Sequence, residues 1–209
     1  MNREPIQRIL NAYQKTWVAG MLRDPKWDER EEQRKYKEIM RFVTEDANCF
    51  SSSNYFGHIT ASALVTNADF SKVLLLHHKK LNKWLQLGGH ADNDPHPEST
   101  AEREAYEESG LETLSFLDYW SPLGLQTMRE PLPFDLDIHE IPERKTKPAH
   151  LHFDLRYLMV ADEDAKLCKN HESNDLRWFT MSDAYEITTE ISMKRQFDKL
   201  SFVAKAIAH

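Results

Sequence analysis

The stretch that most constrains this chain is a glycine pair, Gly88-Gly89, then His90, a short loop, and the run Ala101-Glu102-Arg103-Glu104-Ala105-Tyr106-Glu107-Glu108-Ser109-Gly110-Leu111. The run reads as a helix that stops at Gly110, glycine being the usual residue just past a helix end. Residues three and four apart share a helical face, so Glu104, Glu107 and Glu108 gather on one side. Crowded carboxylates repel one another. The arrangement makes physical sense when a hard cation sits between them, since Mg2+ prefers carboxylate oxygen and bridges to substrate phosphates. Ala101 and Ala105 give the same helix an apolar stripe for packing on a sheet. A solvated helix with an acidic face would also show the charge run, but not the glycine pair, helix and glycine stop in this order.

Around that core the periodicities alternate. Ile6, Ile9, Leu10, Tyr13 and Trp17 recur at helical spacing over residues 5–18, and Tyr36, Ile39, Met40 and Val43 do so in a second helix expected from Trp27 to Val43. Ser51-Ser52-Ser53-Asn54 is turn-like and separates an N-terminal helical extension, 1–50, from the main domain, 51–209. There, 58–65, 72–77 and 84–87 read as strands, the last delivering the chain to Gly88. Further strands are expected around 113–120, at 150–160 and at 176–179, with a closing helix over 191–208. Residues 129–149 hold Pro131, Pro133, Pro142 and Pro148 and read as a long loop, a kind of segment that is usually functional.

Composition excludes several classes. A chain of 209 residues can bury one good core. The formal charge of -7 argues against a nucleic-acid polymer as partner, yet it permits a small nucleotide whose phosphates are offset by a bound cation. No stretch is long and apolar enough to span a membrane. The N-terminus starts in an amphipathic pattern rather than an apolar signal region. Cys49 and Cys168 lie far apart and read as free thiols in a reducing compartment. A cytoplasmic location is expected.

The 23 positions from Gly89 to Leu111 resemble the signature of the Nudix hydrolases: glycine, five residues, Glu, seven residues, then Arg-Glu-apolar-x-Glu-Glu-x-Gly-apolar. Aligned without gaps, Arg103-Glu104 is the central pair, Glu107-Glu108 the acidic pair and Gly110-Leu111 the end. One position departs, because Pro95 stands where the first Glu belongs. In the family that Glu braces the loop and the arginine, and Asp92, Asp94 and Glu98 are candidates to replace it here. The resemblance implies an α/β fold, a Nudix-type α/β/α sandwich around a central mixed sheet, here preceded by the helical extension. It also implies hydrolysis of a nucleoside diphosphate linked to another moiety X with the help of Mg2+ or Mn2+. Glu107 and Glu108 become the expected metal ligands, Glu104 a further ligand or the base that aligns water, and Arg103 an anchor for the glutamates. A homodimer is carried over from the family in the same way.

The histidines raise a second question. On a strand, His150, His152, Asp154 and Arg156 project from one face while Leu151, Phe153 and Leu155 project from the other. His152, Asp154 and Arg156 are therefore candidates for substrate contact. Isopentenyl-diphosphate isomerases share the Nudix fold and hold a metal with a His that opens the matching strand and another after a Cys-Gly pair. His58 and His90, with His150 or His152, occupy comparable places, so an imidazole-rich second metal site is one reading. The isomerase reading loses its acid, because the Cys position is Gly88. A catalytically silent Nudix-fold binding module is a further alternative. It would be expected to lose the glutamates, and all three persist. Tyr55, Phe56, Trp84, Trp120 and Trp178 are expected to be buried rather than to stack on a base.

Overall fold

In the computed structural model, residues 2–18, 28–119, 130–144 and 147–207 are described. Trp27 and Trp120 lie outside them, as do parts of the proline-rich segment. The chain opens with α1, Glu4–Val18, and α2, Glu29–Glu45. Asp28 caps α2 by accepting from the backbone N–H of Arg30 at 3.0 Å and Glu31 at 3.4 Å. The strands are β1, Gly57–Thr66; β2, Lys72–His78; β3, Lys83–Leu85; β4, Leu87–His90; β5, Ser115–Phe116; β6, Asp135–Ile141; β7, His150–Val160; and β8, Ser173–Thr180. Three more helices complete the chain: α3, Pro97–Ser109; α4, Met181–Ile187; and α5, Ile191–Ile207.

The strands form one mixed sheet. β1 runs parallel to β7 along its whole length, from Gly57 opposite Leu151 to Thr66 opposite Val160, and antiparallel to β2 and β4. Helices cover both faces, so β1 is buried at every residue. On one face Ile59, Ala61, Phe153 and Leu155 pack with Ile39, Phe42 and Val43 of α2 and Ala101 of α3. Further along that face Ala63, Val65 and Met159 meet Ala105 and Leu111. On the other, Leu64, Val73, Leu75 and Leu158 pack against Phe197, Leu200 and Val203 of α5 and Ala184 of α4. The expected sandwich with N-terminal helices is the observed architecture.

Several local readings change. Residues 135–141 form a strand inside the segment expected to be a loop. The prolines bracket it rather than break it: Pro131 and Pro133 precede β6, Pro142 follows it, and none sits where an N–H must enter the ladder with β7. The strand expected over 84–87 splits at Gln86 into β3, which pairs with β2, and β4, which pairs with β1. β5 keeps only two residues of the 113–120 reading. Tyr55 and Phe56 are exposed, at 69% and 61%, against the expectation of burial. α4 was not anticipated. It starts where Thr180 accepts from the Asp183 N–H at 3.2 Å.

Charged side chains join the N-terminal helices to the core. Glu32 of α2 is buried and lies 2.7 Å from Lys35 Nζ and 3.2 Å from Lys199 Nζ, and it accepts from the Tyr13 hydroxyl at 2.9 Å. Lys199 also pairs with Asp135, which meets Arg195 at 2.7 Å. Arg195 reaches Asp137 at 2.9 Å, and Arg156 reaches Asp137 and Asp154 at 2.8 Å each. Four buried carboxylates thus face four cations, of which only Arg195 is partly open to solvent. Removing one member of a buried network strands its partners, which costs about 3–5 kcal/mol. Glu32→Gln is therefore expected to lower the unfolding free energy by about that much in a urea titration. Arg34→Ala, which removes an exposed pair with Glu31 and Glu38, should cost less than about 1 kcal/mol in the same experiment.

Candidate active site

The glycine pair is required by what lies against it. Gly88 and Gly89 sit in β4 opposite Ser62 and Ala61 of β1. A Cβ on Gly89 would come closer than 3.0 Å to the Glu104 carboxylate, and one on Gly88 closer than 3.0 Å to Ser62. α3 can therefore lay two of its glutamates directly on the backbone of β4. The Gly88 N–H donates to Glu108 Oε2 at 2.8 Å, and Glu104 stacks over Gly89. At its start α3 has Pro97, whose missing N–H costs nothing in a first turn. At its end Gly110 takes φ 64 and donates its N–H to Tyr106 O at 2.9 Å.

Arg103 ties this assembly together. Its guanidinium donates to Glu104 at 2.8 Å, to Glu107 at 3.4 Å and to the His90 carbonyl at 2.9 Å. No hydrogen bond joins it to Asp92, Asp94 or Glu98, the residues expected to replace the acid lost at Pro95. Asp94 instead accepts from the His96 N–H and Glu98 faces the His96 ring. Of the three, Asp92 acts on the arginine through its charge rather than through a hydrogen bond.

Glu104 and Glu108 are largely buried, with Glu108 5% exposed, while Glu107 reaches solvent. Burial pushes the Glu108 carboxyl up to about 8, against the Gly88 hydrogen bond and with help from the Glu104 charge. It raises Glu104 too, against the attraction of Arg103. Two carboxylates held out of water beside an exposed third, with one arginine among them, form a donor set short of positive charge. That fits a hard divalent cation with oxygen ligands.

Strand alternation turns His90 away from Gly89, to the other face of the sheet. There His58, His90 and His152 each bring one ring nitrogen to within 4.8 Å of the others. Among the described residues this is the one group of three metal-capable side chains drawn so close, and the glutamates are not. Both nitrogens of His58 and Nε2 of His152 are buried without a hydrogen-bond partner. Burial pushes His58 down to about 3, helped by repulsion from His90, and lowers His90 and His152 as well. His150 and His139 flank the group, with ring centroids 5.3 and 5.4 Å from that of His152. His139 lies on β6, in the segment read as a loop, so no sequence pattern drew attention to it.

The polar face of β7 divides along its length. His150 and His152 join the imidazole group. Asp154 accepts from the Thr60 hydroxyl at 3.0 Å, the Ser62 hydroxyl at 2.8 Å and Arg156 at 2.8 Å. Arg156 is spent on Asp135, Asp137 and Asp154.

A family profile described as the NUDIX domain matches residues 57–200. The chain belongs to that family. Nudix proteins are hydrolases of pyrophosphate bonds, and they use divalent metals. Two solved structures agree on the fold, and a third is similar in sequence. An Ap4A hydrolase from C. elegans, as a binary complex, is 20% identical, with 70% of this chain and 98% of that one covered at a TM-score of 0.52. RenU, a Nudix hydrolase from M. smegmatis, is 21% identical over 73% of this chain and 89% of its own, at 0.50. A Nudix hydrolase from Clostridium perfringens is 27% identical over 70% and 97%, at 0.49. No curated protein matches by sequence.

Two outcomes test this geometry. Gly89→Ala forces the Glu104 carboxylate off the strand. A displacement near 1 Å at a candidate metal ligand can cost about 100-fold, so kcat on a phosphoanhydride substrate should fall by that order while far-UV circular dichroism stays unchanged. The raised Glu108 carboxyl means that the folded chain binds a proton more tightly than the unfolded one. Its stabilising effect is present at low pH and lost as pH rises through about 8. In chelator, the Tm should therefore fall more steeply from about pH 5 to about pH 8 in the wild type than in Glu108→Gln.

Proposed function

We propose that this chain is a cytoplasmic, Mg2+- or Mn2+-dependent pyrophosphohydrolase that cleaves the diphosphate bond of a nucleoside diphosphate linked to X, such as a nucleotide sugar or ADP-ribose. The observation that carries the reading is the pair of buried carboxylates, Glu104 and Glu108, laid on Gly88-Gly89 with one arginine to hold them. In this reading Glu107 and Glu108 hold the metal, and Glu104 is a further ligand or aligns the attacking water. Arg103 positions the glutamates through charge-assisted hydrogen bonds and anchors α3 to the His90 carbonyl. A bound divalent ion neutralises the diphosphate and lowers the pKa of coordinated water.

The loss of the loop acid at Pro95 does not favour a silent binding module, because Arg103 keeps its place through Glu104, Glu107 and His90. The isomerase alternative has no thiol at the glycine pair, since Cys49 is buried elsewhere in the apolar core and Cys168 packs beside Gly110.

The test is a panel of nucleoside triphosphates, nucleotide sugars, ADP-ribose, dinucleotides and dinucleoside polyphosphates, each with Mg2+ and with Mn2+. Turnover of one class is expected, lowered by about 100-fold or more in Glu107→Gln, as for loss of a major electrostatic contributor. A wild type that binds Mn2+ yet turns over nothing on the panel would sink the proposal.

A further inference from the structure

The imidazole group lies on the face of β4 opposite the glutamates, and its assembly is unusual for a purely structural cluster. Each member comes from a different strand: His58 is the second residue of β1, His90 ends β4 and His152 lies near the start of β7. The register makes them neighbours, because β1 pairs His58 with His152 and Thr60 with His90. A buried polar atom without a partner is costly, about 1–3 kcal/mol each, and three ring nitrogens here have none. A cation takes the one lone pair that each neutral ring offers, and so relieves one such nitrogen on His58 and one on His152.

The surroundings fix which lone pairs are free. His150 Nδ1 faces the Pro148 carbonyl at 2.8 Å, so it carries the proton and leaves Nε2 as the acceptor. His139 Nδ1 faces the Asp137 carboxylate at 3.1 Å, with the same consequence. Asp137 is held in turn by Arg156 and Arg195. Neutral nitrogens, no carboxylate among the three nearest donors and a largely buried setting select against Mg2+ and for a late first-row ion.

We propose that His58, His90 and His152 bind a Zn2+-type cation at a site separate from the glutamates, with His139 and His150 as its flanking imidazoles. Zn–N distances of about 2.0–2.1 Å place tetrahedral ligand atoms about 3.4 Å apart, so nitrogens now within 4.8 Å close by little more than an ångström. Such an ion ties β1, β4 and β7 together beside the His90 carbonyl that Arg103 uses.

The test uses the full chain without an affinity tag, stripped with chelator. In a Glu107→Gln/Glu108→Gln background, one equivalent of Zn2+ is expected by calorimetry, and Co2+ is expected to give the visible ligand-field bands of a four-coordinate, nitrogen-bound ion. Outer-shell partners alone are worth 10–100-fold in metal affinity, so His58→Gln and His152→Gln should each cost more than about 100-fold. Because either variant alters a residue packed within the sheet, long-range proton–nitrogen spectra of the wild type supply a readout free of mutation. The ring nitrogens of His58, His90 and His152 should shift together at one equivalent of Zn2+. Uptake unchanged in a His58→Gln/His152→Gln variant, or ring nitrogens that do not move, overturns the proposal, whatever the hydrolase panel shows.

Discussion

β1 lies parallel to β7 with Gly57 opposite Leu151 and Thr66 opposite Val160, and this ladder decides what each face of the sheet carries. On one face it aligns His58 with His152, Thr60 with Asp154, Ser62 with Arg156 and Leu64 with Leu158. Polarity along that face therefore runs from imidazole, through hydroxyl and ion pair, to hydrocarbon beneath α5. The opposite face carries Ile59, Ala61 and Ala63 beside Phe153, Leu155 and Tyr157, small against large, which leaves room for α3 to come down on Ala101 and Ala105. A slip of one residue would exchange the two faces, separating the histidines and driving Asp154 and Arg156 under α3.

The ion network is the second constraint. Taking Glu32, Asp135, Asp137 and Asp154 out of water is unfavourable by several kcal/mol each, and Lys35, Lys199, Arg156 and Arg195 offset that only while every member is in place. α2, β6, β7 and α5 each contribute to it. The helices that precede the family match are thereby joined to the sheet by charge as well as by Tyr13, Ile39 and Phe42 in a shared apolar cluster.

What could be read in advance followed from periodicity and spacing. The glycine pair, α3, β1, β2, β7 and α5 all carry patterns that their final environment reinforces. Proline favours loops, which masks β6, yet Pro131, Pro133 and Pro142 mark the ends of an edge strand whose Asp135, Asp137 and His139 alternate with Leu136 and Ile138. The break at Gln86 follows from a choice of partner, β2 or β1, that no local pattern encodes. The alternation in β7 identified a polar face correctly, but periodicity says nothing of partners. Whether Asp154 and Arg156 meet a ligand or each other depends on β6 and α5, far off in the chain. Likewise the sequence displays Gly89, while the reason for it, a carboxylate lying where its side chain would be, exists only once α3 has docked.

Gly89 and His90 are consecutive, and they look out from opposite sides of one strand. Glu104 lies against the first, and the imidazole group contains the second. The spacing between the oxygen-rich and nitrogen-rich clusters is therefore anchored by a single peptide unit, about 3.8 Å from one Cα to the next. Covalent geometry holds this dimension where packing holds most others. Loops around either cluster can rearrange to suit a ligand without altering the distance across the strand.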